Sequence, residues 1–72
     1  MSKSIHSSEY ISVIKKLREA REAAGLTQAE AAEKLGKPQS YISKIERGER
    51  RLDIVELAKI ARLYKKQLQW FI

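Results

Sequence analysis

Apolar residues return at three- and four-residue steps through most of this chain, and nowhere do they alternate with polar ones as a strand would require. Tyr10, Val13, Ile14, Leu17, Ala20 and Ala24 lay out a first amphipathic helix that starts near Ser8 and stops at Gly25. A second helix runs from Gln28 to about Leu35, with Ala29, Ala32 and Leu35 turned inward. It opens with a capping box, in which Thr27 accepts from the Glu30 amide and the Glu30 side chain reaches back to the Thr27 amide. Gly36 permits a left-handed turn, Pro38 fixes the start of a third helix, and Gly48 ends it. Asp53 and Glu56 repeat the capping pattern ahead of a fourth helix with Ile54, Leu57, Ala61 and Tyr64 on one face. Leu68, Trp70, Phe71 and Ile72 form a short fifth. The pattern predicts an all-α, compact five-helix domain over residues 8–72 behind a loose Ser- and Lys-rich arm, 1–7.

The third helix carries the chemistry. At about 100° per residue, Ile42 and Ile45 fall on one side while Ser40, Ser43, Lys44 and Arg47 fall on the other, flanked by Gln39 and Tyr41. Two turns with two aliphatic anchors have little stability alone, so neighbours must present this helix. In a DNA major groove, glutamine bridges adenine N6 and N7, lysine reaches guanine O6 and N7, and serine is small enough to approach either base edge.

The segment from Thr27 to Gly48 resembles the helix-turn-helix of the phage-repressor and Cro type. The likeness covers residues 10–72 and is carried by Gln28, Ala32, Leu35, Gly36, Ile42, Ser43, Ile45, Glu46 and Gly48 in register. It implies a lambda-repressor-like fold in which helices two and three form the motif and helix three enters the groove. It also implies that Gln28 donates to a phosphate and braces Gln39, the first glutamine of the reading helix. The family usually places a glycine and an aliphatic residue between helices four and five. This chain has Lys65 and Lys66 there, which leaves either a tighter turn or a helix that runs on.

A net charge of +6 favours a polyanionic partner, a nucleic acid or an acidic membrane surface. With the motif in place, double-stranded DNA is the expected partner: Gln39, Ser40, Ser43 and Lys44 to read bases, and Gln28, Lys37, Tyr41, Arg47, Arg50 and Arg51 to hold the backbone. Tyr41 serves packing or a phosphate equally well, and Glu49 and Asp53 are local partners for Arg50 and Arg51. Arg21 interrupts the inward stripe of helix one, and Glu46 lies at the inner edge of helix three. As in the resembled repressors, the two are expected to form a partly buried ion pair.

No cysteine is present, which removes disulfide and thiolate chemistry. His6 stands alone, no nucleophile is paired with a base, and Glu19, Glu22, Glu30 and Glu33 fit helical ion pairing; neither an enzyme nor a cofactor, metal or small-molecule site is expected. The longest apolar run falls far short of the roughly 20 residues that span a bilayer, and residues 1–8 lack the apolar core of a secretory signal. A cytoplasmic location is the expectation. One reading helix covers few base pairs, so a homodimer on a pseudo-palindromic operator is expected, with Leu68, Phe71 and Ile72 as its surface and Trp70 in the core. The reading is a transcriptional regulator, akin to Cro-like repressors and restriction-modification controller proteins. An antitoxin-like protein-interaction module with secondary DNA binding is the alternative.

Overall fold

A computed structural model describes residues 7–72; His6 and the rest of the arm to residue 6 lie outside the described residues. Among those described, the chain forms α1 (Ser8–Ala23), α2 (Gln28–Lys34), α3 (Gln39–Glu46) and α4 (Ile54–Leu63), followed by a 3-10 turn at Leu68–Phe71. The fold is all-α with the motif at α2 and α3, but the fifth element is a single tight turn rather than an α-helix. Ser7, counted above with the arm, caps α1 by accepting from the Tyr10 amide at 3.1 Å.

The core gathers Leu17 and Ala20 of α1, Ala31 and Ala32 of α2, Ile42 and Ile45 of α3, Leu57, Ile60, Ala61 and Tyr64 around α4, and Phe71. Both capping boxes form as the sequence indicates, at Thr27 with Glu30 and at Asp53 with Glu56. Two inward faces differ from expectation. In α2 it is Ala31 that is buried beside Ala32, while Ala29 is exposed and Leu35 half-buried; alanines at 29, 31 and 32 offer no size contrast by which periodicity could choose the face. In α4 Ile54, in the first turn, stands 62% exposed, and Ile60 is buried beside Leu57 and Ala61. Ala24 is exposed too, because α1 has ended one residue earlier.

All four helices close in the same way. The amide two residues past the cap returns to the carbonyl three residues inside it, and the intervening amide closes a smaller ring: Leu26 to Arg21, Lys37 to Ala32, Glu49 to Lys44 and Lys66 to Ala61. Glycine occupies the left-handed position in the first three. In the fourth it is Lys65, with φ at 61°. The lysine pair therefore makes the tight turn, and the helix does not run on. Left-handed backbone costs a residue with a Cβ about 1–2 kcal/mol, and glycine's extra freedom in the unfolded chain takes back about 0.5–1 kcal/mol. Lys65→Gly is thus expected to raise stability by roughly 0.5–1 kcal/mol in urea denaturation; a lowered midpoint would show that the Lys65 side chain supplies more than its backbone costs.

The turn also reverses the expected roles of two aromatics. In a 3-10 helix, residues three apart eclipse one another, so Leu68 and Phe71 share the inward side. Phe71 is 1% exposed and belongs to the core, whereas Trp70 is 36% exposed. The expected dimer surface therefore loses Phe71, and Trp70 leaves the core. The Trp70 ring stands edge-on to Phe71 at 5.1 Å, with the Lys66 ammonium 4.6 Å and that of Lys16 5.8 Å from its centroid. Among the described residues no helix is long and apolar enough to cross a membrane.

Candidate nucleic-acid interface

The reading helix is clamped from behind by one buried cation. The Arg21 guanidinium donates to both Glu46 oxygens, at 2.7 and 3.0 Å, and to the Leu26 carbonyl at 2.9 Å. Both side chains of the pair are less than 10% exposed. The two parallel N–H bonds fix orientation as well as distance, so α1, the α1–α2 loop and the end of α3 are held together. The Glu46 hydrogen bond, more than its charge, keeps Arg21 protonated above the usual guanidinium range, against the opposing effect of burial. For the neighbouring Tyr64 hydroxyl, whose charged form is an anion, burial acts the other way and pushes it up to about 12. The expected ion pair is present, and it includes a third side chain that sequence reasoning placed elsewhere: the Gln28 amide donates to Glu46 at 2.9 Å. Gln28 thus braces α3 at its last residue rather than at Gln39.

On the outer side of α3, Gln39, Ser40 and Lys44 are exposed and Ser43 is half-buried. The Ser43 hydroxyl donates to the Ser40 carbonyl at 3.3 Å, the local back-bonding that serine commonly makes in helices. Among the described residues, the Gln39, Ser40 and Lys44 side chains make no hydrogen bond or ion pair to another. Their donors and acceptors face solvent on a helix whose opposite side, through Ile42 and Ile45, is fully buried.

The cations expected at the DNA backbone divide into two kinds. Arg47 pairs with Glu49 through two 3.1 Å bonds, and both side chains are more than half exposed. Arg50 pairs instead with Glu56, at 3.2 and 3.0 Å, and also donates to the Arg51 carbonyl at 2.8 Å. The Tyr41 hydroxyl donates to the same Glu56 carboxylate at 3.3 Å, and the Tyr41 ring has Arg50 at 4.8 Å and Lys37 at 5.3 Å from its centroid. Lys37 and Arg51 are exposed. Of the two local partners expected for Arg50 and Arg51, Glu49 takes Arg47, and Asp53 is occupied in capping α4.

Glu56 is the residue the sequence did not reveal, because its capping role already accounted for it. The Arg50 hydrogen bonds first, and then the Asp53 amide, hold its carboxyl below the usual carboxylate range. A depressed carboxylate favours the fold above its unfolded value, and that contribution fades as acid titrates it.

A family description, helix-turn-helix, matches residues 17–71 of the chain. The chain belongs to the XRE/Cro-type helix-turn-helix family. It is 40% identical over 62 residues to the HTH-type transcriptional regulator ImmR of Bacillus subtilis strain 168, a match that covers 86% of this chain and 49% of ImmR; the chain thus spans about half the length of that relative. Among solved structures it is similar to an XRE-family like protein from Pseudomonas syringae pv. tomato strain DC3000, with a TM-score of 0.85 and 43% identity, over 97% of this chain and 85% of the other. Among the described residues no group of three or more histidine or acidic side chains is placed to hold a metal ion.

Proposed function

We propose that this chain is a sequence-specific double-stranded DNA-binding transcriptional regulator that inserts α3 into the major groove. The observation that carries the reading is the pairing of a rigid back with an unengaged front. Glu46 and two buried isoleucines fix α3 from inside, while Gln39, Ser40 and Lys44 offer free hydrogen-bonding groups outside. With the helix itself already fixed, docking has only these side chains to order, at about 0.5–1.5 kcal/mol for each long one. Ser43, whose hydroxyl is turned to the Ser40 carbonyl, contributes as a small residue that permits close approach. Lys37, Arg47 and Arg51 flank the reading row and supply backbone contacts; Gln28, at the start of α2, joins them while tied to Glu46. The naming of ImmR as a transcriptional regulator supports the same assignment.

Base-reading and backbone side chains should fail differently. Gln39→Ala is expected to weaken operator binding by about 1–3 kcal/mol with little change on random duplex, whereas Lys37→Ala weakens both alike and lowers the salt slope by about 0.9. Equal losses on both duplexes for Gln39→Ala would contradict its role.

Two copies on a pseudo-palindrome complete the reading, because two-fold pairing sets the reading helices about 34 Å apart on one face of DNA. Half-exposed Trp70 and exposed Ile72, beside partly packed Leu68, supply apolar surface for that contact. Sedimentation with a symmetric operator duplex should give two chains per duplex; a single chain at saturation would overturn the dimer.

A further inference from the structure

Glu56 gathers more partners than a capping residue needs. Its two oxygens accept from Arg50 twice, from the Tyr41 hydroxyl and from the Asp53 amide. These donors come from α3, from the loop after it and from the cap of α4, and Arg50 in addition lies 4.8 Å from the Tyr41 ring centroid. The Glu56 side chain is 23% exposed and that of Arg50 39% exposed, so the cluster is far drier than the Arg47–Glu49 pair at 58% and 53%. A planar guanidinium held by a forked pair of bonds and a ring is fixed in angle, which a lysine cannot reproduce.

The consequence concerns what Arg50 does on DNA. Salt dependence counts the phosphates that a protein newly neutralises, since each one releases condensed counterions. A cation already neutralised by a sheltered carboxylate adds little to that count. On this basis, which rests on the proposed DNA-binding function, we infer that Glu56 is a positioning residue for base reading. It locks Arg50 and Tyr41 into a strut between the outer shoulder of α3 and α4, and Arg50 sets the angle of α3 instead of neutralising a phosphate.

The strut and a plain phosphate contact make opposite forecasts for two substitutions. For a strut, Arg50→Ala and Arg50→Lys both reduce the ratio of operator to random-duplex affinity, by about tenfold, and Arg50→Ala leaves the salt slope at the wild-type value. Glu56→Gln retains an acceptor for Tyr41 but frees the Arg50 charge, so affinity for random duplex and the salt slope both rise while the ratio falls. For a phosphate contact, Arg50→Ala lowers the slope by about 0.9 with the ratio unchanged, and Arg50→Lys restores both. The experiment is equilibrium binding of the full chain and these three variants to operator and random duplexes between 50 and 300 mM salt, with melting curves to confirm that each variant is folded. A variant too unstable to measure is replaced by Tyr41→Phe, which removes only the hydroxyl and should lower the ratio without moving the slope; an unchanged ratio overturns the strut. If the wild type itself shows no preference among duplexes, the DNA-reading function fails first. If it discriminates and Arg50→Lys keeps the ratio, only the strut is wrong.

Discussion

Replacing Arg21 by alanine is expected to lower the unfolding free energy by about 3–5 kcal/mol, among the largest losses that any single substitution in this chain produces. Arg21 reaches the interior because it has three acceptor contacts there, two on Glu46 and one on the Leu26 carbonyl. Without it, Glu46 remains enclosed with only the Gln28 amide for company, and an uncompensated buried carboxylate carries most of the cost. Glu46→Ala strands the guanidinium in the same way. Because each single change leaves the other charge unpaired, the double substitution should cost less than the sum of the two, by about 1–3 kcal/mol. Urea denaturation of the four proteins measures this coupling, and additive losses would show that Arg21 and Glu46 act independently. The same substitutions should erode DNA discrimination beyond what stability explains, since the pair orients α3.

The second large effect falls on Phe71. Phe71→Ala is expected to cost about 3–5 kcal/mol, because the ring is 1% exposed and sits among Leu17, Ile60 and the other core residues. Trp70→Ala, at the larger but half-exposed neighbour, should cost less, and its main consequence is loss of the edge-on contact with Phe71 and of the stacked Lys66. Thermal denaturation of the two variants distinguishes this arrangement from its reverse: a Trp70 substitution more damaging than that of Phe71 would mean that the turn packs the other way round.

These two aromatics show where the sequence stops being legible. Residues three apart share a side in an α-helix as in a 3-10 turn, so Leu68 and Phe71 align in either and Trp70 falls away from them; with Trp70, Phe71 and Ile72 in unbroken succession, the apolar pattern alone did not mark which of them turns inward. Ala29 and Ala31 were indistinguishable because neither has a side chain large enough to mark a face. The elements whose signals are chemical were readable instead. Capping boxes at Thr27 and Asp53, turn glycines at 25, 36 and 48, and an arginine in the apolar stripe of α1 each require a particular structure, and each has it. In the candidate site, the exposed row of α3 followed from the anchors Ile42 and Ile45. The partners of the flanking cations did not, because pairing depends on how the loop from Glu49 to Asp53 folds back. Adjacency in sequence linked Glu49 to Arg50, while the fold links it to Arg47 and brings Glu56 to Arg50.

The central claim is that the outer row of α3 reads base sequence, and selection of bound duplexes from a random-sequence pool tests it most directly. The wild-type chain should converge on one two-fold-symmetric motif, and a variant with Gln39, Ser40 and Lys44 all replaced by alanine should bind DNA weakly and enrich no motif. A wild-type pool that stays random after repeated selection, or a triple variant that recovers the same motif, would contradict the account.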